Sequence, residues 1–373
     1  MSKEYFVKVS GTGSFLPGEP IPFTDIEDYL GHITGASSKN MKWMKRTKSI
    51  MNEMLDIDYV YYAIDPETKE FTEDLITMAV KAAKPALEAA HVNPDDIDFI
   101  TVGSPLMEQI PPITTRIQEA LGIESCAEIA IHSNCTSAYK AFMTAYDMVR
   151  NGRYKKALVI ASSMNSSMLR ADFYNQELLT TEDIFLRWFL CDGAGAMVLE
   201  PSDTKSGGLF IDNIYNESVG GRKPSAMHNG FPAHFVNLID AYNKGYHHVS
   251  QMFKLELTQN MQDSDGHTLF TNGLARMVNK YNIDISKVRF FNINMPAKHI
   301  VENILQECEA VLGLTRDMVY TKISKMGYSG PPAAFVCLDK IFREEKLNKG
   351  DLILSFVTEV SKFMQAGFTL SYQ

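Results

Sequence analysis

Short apolar segments alternate with longer amphipathic segments along the whole chain. Residues 5–10 alternate polar and apolar side chains and run into Gly11 and Gly13, which predicts a strand that ends in a turn. The same kind of pattern predicts further strands at residues 98–102, 128–133, 157–161, 196–200, 209–214, 288–293, 352–357 and 363–372. Helical spacing predicts helices at residues 72–91, 116–121, 137–150, 235–261, 269–281, 299–312 and 333–345. This alternation is typical of layered α/β structure with buried, mostly parallel strands.

The order of elements starts again after a polar linker. Residues 201–208 contain Asp203, Lys205 and a pair of glycines, and the next segment again has the pattern of a first strand. The two halves are similar in the order of their elements but not in sequence. We therefore predict two units of similar architecture, over residues 1–205 and 206–373.

Composition excludes several classes of protein. The 373 residues carry 36 Lys and Arg against 45 Asp and Glu, a net charge of −9, and 45% of them are hydrophobic. This length buries a large core without disulfides or metal ions. An acidic chain that has no long basic block is not expected to bind nucleic acid, because phosphate binding needs a concentrated basic face.

The chain has no apolar run near the ~20 residues that span a bilayer, and its first residues do not have the pattern of a signal peptide. We therefore expect a cytoplasmic protein without membrane segments. The cysteines are odd in number, scattered and without a Cys-x-x-Cys pair, so neither a disulfide framework nor a metal site is predicted. They are Cys126, Cys135, Cys191, Cys308 and Cys337.

Cys135 is the best candidate for a nucleophile. It follows the predicted strand 128–133 and precedes the predicted helix 137–150, in a run of small residues. The positive end of a helix favours a thiolate, which predicts a lowered pKa for this thiol. A buried structural cysteine is the alternative that the spacing alone leaves open.

The segment around Cys135 resembles the nucleophile segment of ketoacyl synthase III enzymes in the thiolase superfamily. Other motifs are similar in the same order along the chain. They are residues 11–17 (GTGSFLP), Trp43 with Arg46 and Thr47, Ile110-Pro111, and residues 192–196 (DGAGA). The resemblance implies a five-layered thiolase fold of two αβαβα halves and a homodimer. It also implies acyl transfer to Cys135 from a coenzyme A or carrier-protein thioester, with no further cofactor.

The resemblance also implies a histidine after a strand of the second half, and this position is altered. Counting forward from residue 288 places Asn294 there, whereas counting back from residue 312 places Lys298 there, beside His299. His299 is preferred as the general base because it is the only histidine near that junction. His228, His234, His247, His248 and His267 lie in a long insertion and are expected at the surface or in a lid.

The asparagine that the resemblance implies is missing as well. Residues 325–330 contain no asparagine, and Tyr328 occupies its place, which we assign to the substrate tunnel. In the family, the histidine and asparagine stabilise the enolate that forms when a malonyl thioester loses carbon dioxide. Residues 360–363 replace the glycine-rich turn that supplies an oxyanion amide in relatives, and the backbone amide of Ser361 is predicted to complete an oxyanion hole with that of Cys135.

Glu108 is an addition that would compensate for the missing pair. In relatives, its loop approaches the acyl tunnel of the partner subunit, and Ile110 matches the residue that reaches across. A carboxylate in an apolar tunnel is predicted to have a raised pKa and to remove a proton from a carbon between two carbonyls. A surface charge or an interface ion pair is the alternative for Glu108.

A basic cluster surrounds Trp43 in this otherwise acidic chain. Carrier proteins and the phosphates of coenzyme A are anionic, so Trp43, Lys45 and Arg46 are predicted to dock them. A solvated helix face is the alternative. The complete cluster is Lys39, Lys42, Lys45, Arg46 and Lys48.

The resemblance is strongest to the stand-alone ketosynthases that join two β-ketoacyl thioesters into dialkylresorcinols, cyclohexanediones or pyrones. It lies in the combination of Cys135, His299 and Glu108. The sequence thus predicts a ketosynthase that condenses without decarboxylation and then cyclises its product in specialised metabolism. The alternatives are a decarboxylating 3-oxoacyl synthase III, an acyltransferase to an alcohol or amine, and a non-catalytic partner subunit.

Overall fold

The computed structural model describes residues 4–106, 110–229, 237–252 and 254–373. Its strands are β1 (Phe6–Phe15), β2 (Ile21–Pro22), β3 (Tyr59–Val60), β4 (Phe99–Ser104), β5 (Ala127–His132), β6 (Ala157–Ser163), β7 (Gly193–Ser202), β8 (Leu209–Ser218), β9 (Met227–Asn229), β10 (Val249–Gln251), β11 (Val288–Asn292), β12 (Val319–Tyr320), β13 (Leu352–Glu359) and β14 (Met364–Tyr372). Its α-helices are α1 (Ile26–Leu30), α2 (Ser38–Leu55), α3 (Leu75–Ala90), α4 (Ile113–Leu121), α5 (Ser137–Arg150), α6 (Ser166–Leu169), α7 (Thr181–Phe185), α8 (Leu238–Asn243), α9 (Lys254–Met261), α10 (Leu269–Tyr281), α11 (Lys298–Leu312), α12 (Ile323–Met326) and α13 (Pro332–Glu344).

Within the described residues, ten strands form one sheet whose two sides repeat the same order. From the centre outward, one side runs β1-β7-β6-β4-β5 and the other runs β8-β14-β13-β11-β12. β1 and β8 join the two sides through the pairs Lys8–Phe210 and Val9–Leu209. The boundary between residues 205 and 206 stays a prediction.

Strand direction differs from the prediction of mostly parallel strands, which is wrong. β4 pairs in parallel with β5 and β6, and β11 with β12 and β13. The pairs made by β1, β7, β8 and β14 are antiparallel. A buried apolar strand has the same composition whichever way its neighbour runs, so the pattern did not reveal the direction.

Helices form three layers around the two sides of the sheet. On β6, Val159 faces the middle layer that contains α5, whereas Leu158 and Ile160 face the outer layer of α3 and α4. α5 and α13 share one core with strands of both sides, where the ring of Phe142 lies 6.1 Å from Phe335 and 5.1 Å from Phe368. α10 and α11 cover the outer face of the second side. This arrangement is the layered α/β thiolase fold.

β1 does not end at Gly11 and Gly13, contrary to the predicted turn. It continues to Phe15 because both glycines allow α3 to approach the strand closely. A Cβ atom at Gly11 would lie 2.2 Å from the carbonyl oxygen of Ala86, and one at Gly13 would lie 2.2 Å from that of Ala82. Substitution of either glycine would therefore push α3 off the sheet.

The single helix predicted at residues 235–261 is also wrong. The described part of that stretch contains α8, the strand β10 and α9. β10 pairs with β9 in a separate two-stranded sheet. In the described ranges, no helix is both long and apolar enough to cross a membrane.

Candidate active site

Cys135 lies in the turn between β5 and α5, as the sequence predicted. The backbone N–H of Ser137 donates to the carbonyl of Asn134, and that of Lys140 donates to the carbonyl of Thr136, which starts the helix just after the cysteine. α5 belongs to the middle layer, so its N-terminus opens between the two halves. Cys135 is half-buried there and lines a cavity.

The cavity has a volume of about 850 Å³ and a mainly apolar wall. Ligand pockets fall between about 300 and 1,000 Å³, so this cavity is a large one. Its apolar lining includes Leu106, Met168, Phe173, Phe185, Phe189, Leu257, Met261, Met295 and Ile300. Its polar lining includes His132, Asn134, Asn165, His228, His247, Gln251 and Asn294.

The surroundings of Cys135 favour its neutral thiol over the thiolate. Burial, and next the nearby Glu359 carboxylate, raise its pKa to about 12, whereas the hydrogen bond from Tyr328 lowers it. The prediction of a lowered pKa is therefore wrong. The positive end of a helix does favour a thiolate, but the burial of the thiol and the negative charge of Glu359 together outweigh this effect on the pKa of Cys135.

Tyr328 contacts the candidate nucleophile directly. Its hydroxyl donates a hydrogen bond of 3.0 Å to the sulfur of Cys135. Tyr328 lies between α12 and α13, and its carbonyl accepts a hydrogen bond from the N–H of Cys191. Burial raises the pKa of Tyr328 well above its usual value, so the phenol stays protonated and remains a donor. The sequence assigned it only to the tunnel.

The structure brings Asn294, and not His299, to this cavity. Asn294 lines it, with its side-chain oxygen accepting from the Cys337 thiol at 3.0 Å and its nitrogen donating to Asn292 at 2.6 Å. α11 then begins at Lys298, whose ammonium pairs with Asp56 at 3.8 Å, and His299 is exposed on the same turn. Since His299 is exposed and is not among the cavity-lining residues, the structure does not support it as the general base, and the residue at the altered position stays a prediction.

We expect His299→Ala to leave the acylation rate of Cys135 unchanged within about twofold, as for a surface substitution away from the site. Asn294→Ala is expected to slow acylation by more than that, because it removes a polar group of the cavity wall and frees the Cys337 thiol. Stopped-flow release of the thiol product from an acyl thioester measures both. If His299→Ala slows acylation more than Asn294→Ala does, His299 would again be the candidate general base.

Glu108 lies outside the described residues, as do Met107 and Gln109. On the two sides of this gap, Leu106 lines the cavity, whereas Ile110 is 102% exposed and faces away from the core of its own chain. The role of Glu108 as a base stays a prediction, and so does contact between Ile110 and a partner subunit. His234 also lies outside the described residues.

Ser361 lies in the turn that joins β13 to β14. Its hydroxyl donates to Glu359 at 2.5 Å, and its carbonyl accepts from the N–H of Ala226 at 3.1 Å. The neighbouring Val360 lines the cavity. The predicted oxyanion hole, formed by the amides of Cys135 and Ser361, stays a prediction.

The basic cluster lies on α2, a helix that the sequence did not predict. Trp43 is half-buried and stacks on the buried Trp188 at 5.4 Å between ring centroids, so it anchors α2 to the core. Lys45 and Arg46 are exposed, whereas Lys48 forms an ion pair with Glu27. Lys39 and Lys42 are exposed as well, and docking of an anionic partner at Lys45 and Arg46 stays a prediction.

The histidines of the insertion are not all at the surface. His228 and His247 line the cavity, and His248 is buried, with one ring nitrogen 3.6 Å from Asp183 and the other accepting from the N–H of Asn175 at 3.1 Å. Sequence spacing gave no sign of this arrangement. Glu359 was not predicted from the sequence either, because the comparison with the family's glycine-rich turn singled out only the nearby Ser361.

Known proteins are similar to this chain in sequence and in fold. A family model described as 3-oxoacyl-[acyl-carrier-protein (ACP)] synthase III matches residues 129–216. The β-ketoacyl-[acyl-carrier-protein] synthase III of Actinobacillus pleuropneumoniae is 24% identical over 351 residues, which is 94% of each chain.

Two solved structures share the fold at low sequence identity. AbyA1, a tetronic acid condensing enzyme, aligns with a TM-score of 0.78 at 17% identity, over 98% of this chain and 99% of its own. OleA of Xanthomonas campestris, solved with bound lauric acid and lauroyl-CoA, aligns with a TM-score of 0.73 at 14% identity, over 98% and 99%.

The chain shares the layered α/β fold of these solved structures, and the stretch that matches the family model includes Cys135. In sequence, the chain is similar to enzymes of the 3-oxoacyl-ACP synthase III type, and this similarity identifies it as an acyltransferase.

Proposed function

We propose that this ketosynthase loads an acyl group on Cys135 and condenses it with a second β-ketoacyl thioester without decarboxylation. One observation carries the proposal. Asn294 and Tyr328, which we assign to the positions of the family's histidine and asparagine, both line the cavity, and the hydroxyl of Tyr328 donates a hydrogen bond to the Cys135 sulfur. These two side chains support acyl transfer to the sulfur, and neither of them is the imidazole that the family uses in decarboxylation.

Acyl loading needs no net change in protons. The sulfur of Cys135 attacks the thioester carbonyl, its S–C bond forms, and the C–S bond to the carrier breaks. The proton of the Cys135 thiol ends on the departing carrier thiol. Tyr328 supports this step because a hydrogen bond to sulfur favours the charge that develops there.

Condensation needs a base for the second substrate. A carbon between two carbonyls loses its proton readily, and Glu108 is the predicted acceptor. The resulting carbanion attacks the acyl carbon on Cys135, a C–C bond forms, and the sulfur leaves and is reprotonated. Aldol ring closure or lactone formation of the condensed chain follows in the same cavity.

The cavity supports an apolar acyl substrate. Its wall is mainly aliphatic, aromatic and methionine side chains, with neutral amides near Cys135. Such a wall gains free energy from burying hydrocarbon, at about 25 cal/mol per Å². The bound lauroyl-CoA of OleA and the tetronic acid chemistry named for AbyA1 agree with thioester substrates of this kind and with specialised metabolism.

We include a homodimer in this proposal. The resemblance implies a dimer, and Ile110 is 102% exposed in the single chain, so it is accessible to a partner subunit. Coenzyme A or an acyl carrier protein would deliver the thioesters at the exposed cations of α2.

Reversing two of these charges tests the delivery site. We expect the double variant Lys45→Glu and Arg46→Glu to raise KM for the carrier thioester about tenfold at low salt, with little change in kcat. High salt should narrow the difference, because it screens exposed charges. The matched control is Lys346→Glu with Lys349→Glu, which changes the same charge at two other exposed lysines. Equal effects of the two pairs would argue against docking at α2.

Product analysis by mass spectrometry tests the proposed reaction. The enzyme is given a β-ketoacyl thioester alone, and separately an acyl thioester with a malonyl thioester. We expect a condensed product only from the first mixture. A product from the malonyl mixture alone would identify a decarboxylating synthase, and transfer to an added alcohol or amine would identify a different acyltransferase. A failure to acylate Cys135 would favour a non-catalytic subunit.

A further inference from the structure

Glu359 is a buried carboxylate at the positive end of the nucleophile helix. It is the last residue of β13 and only 1% exposed. One carboxylate oxygen accepts from the Thr136 N–H at 2.9 Å, from the Thr136 hydroxyl at 2.6 Å and from the Ser133 hydroxyl at 3.0 Å. The other oxygen accepts from the Ser361 hydroxyl.

These contacts hold the chain on both sides of Cys135. Ser133 and Thr136 bracket the cysteine, so one carboxylate fixes both ends of the turn that presents its sulfur. A helix N-terminus stabilises a negative charge through its free N–H groups. Because Glu359 already accepts one of these N–H groups, a thiolate at Cys135 would be a second anion at the same helix end.

We propose that Glu359 is a positioning residue that fixes the Cys135 turn and reserves the positive end of α5 for its own carboxylate, so that Cys135 is held as a neutral thiol until a thioester binds. Burial of the thiol acts in the same direction. A neutral thiol resists oxidation and unwanted alkylation, which act on the thiolate.

Other ionisable groups around the sulfur do not replace Glu359 in this role. Tyr328 faces the sulfur from the loop before α13 and stays protonated. Tyr139 on α5 donates to or accepts from Ser355, and burial raises its pKa. Lys140 on α5 donates to the Ser133 hydroxyl at 2.9 Å and so reaches Glu359 only through that serine.

The pH profile of Cys135 alkylation by iodoacetamide tests the inference, with the modified cysteine identified by peptide mass spectrometry. We expect Glu359→Gln to move the profile to lower pH by one unit or more. At about pH 8, alkylation should be at least about threefold faster than in the wild type, since the gain in thiolate is partly offset by its weaker nucleophilicity. Glu359→Ser, also neutral, should shift the profile in the same direction if the glutamine variant folds poorly.

Two controls separate charge from packing. Glu359→Asp keeps the charge and should keep the wild-type profile more closely than either neutral variant. Glu217→Gln removes a half-buried carboxylate that pairs with Arg276 at 2.8 Å. This variant should leave the pH profile of Cys135 alkylation unchanged. If Glu359→Gln or Glu359→Ser still unfolds cooperatively and leaves the pH profile of Cys135 alkylation unchanged, the proposed role of Glu359 is overturned.

This inference rests on Cys135 as the nucleophile of the proposed function, yet alkylation requires no thioester. An unchanged alkylation profile would therefore overturn the role of Glu359 and leave the condensation reaction standing. Conversely, a shifted profile in an enzyme that forms no condensed product would support Glu359 and contradict the proposed function.

Discussion

Cys135→Ala is expected to abolish formation of the acyl-enzyme and to lower the rate of condensation by at least about a thousandfold, because no other group takes over covalent catalysis. Intact-protein mass spectrometry after incubation with a β-ketoacyl thioester measures the first effect. Product release measures the second. The fold should persist, because the cysteine lies in a turn at a cavity wall and its removal leaves no sealed void.

Cys126→Ala is the matched control for this experiment. Cys126 is also a free, half-buried cysteine, just before β5, and burial raises its pKa. Its replacement should leave acylation intact. Acyl mass on the Cys135→Ala protein, or its loss from the Cys126→Ala protein, would show that the nucleophile has been assigned to the wrong residue.

Tyr328→Phe is expected to slow acylation of Cys135 by about ten- to a hundredfold. This substitution keeps the ring and removes the hydroxyl that donates to the sulfur at 3.0 Å. Hydrogen bonds to a charged group contribute about 1.5–3 kcal/mol, which corresponds to that range of rates. The pKa of the Cys135 thiol should rise further, since Tyr328 lowers it. Alkylation at fixed pH should therefore slow as well.

Tyr139→Phe is the control for the loss of a buried phenol hydroxyl. Tyr139 lies on α5, but its hydroxyl pairs with Ser355 at 2.7 Å. We expect a modest loss of stability and an acylation rate close to that of the wild type. If both variants slow acylation equally, the effect of Tyr328 is one of packing and not of its contact with sulfur.

Much of the fold could be predicted from the sequence because buried strands have clear patterns. The predicted strand at residues 157–161 became β6, and the helix predicted at residues 137–150 has the same bounds in the structure. α2 was missed for a physical reason. Of its 18 residues only Met51 and Leu55 are buried, so it lacks the apolar stripe that marks a helix.

The candidate site was predictable only in part. Cys135 stood out because a strand, a turn of small residues and a helix follow one another locally along the chain. The choice between Asn294 and His299 depended on where α11 begins, and a shift of a few residues moves a side chain from the cavity to the surface. Glu359 reaches the Cys135 turn from more than 200 positions away in sequence, a contact that local spacing does not encode.

A two-step transfer tests the central claim most directly. Cys135 is first acylated with an unlabelled β-ketoacyl thioester and the excess is removed. A second β-ketoacyl thioester, labelled with carbon-13 throughout its acyl chain, is then added. We predict a condensed product that contains every carbon of both acyl groups, with the free thiol restored on Cys135. Release of labelled carbon dioxide before this product appears, or an acyl-enzyme that condenses only with a malonyl thioester, would contradict the account.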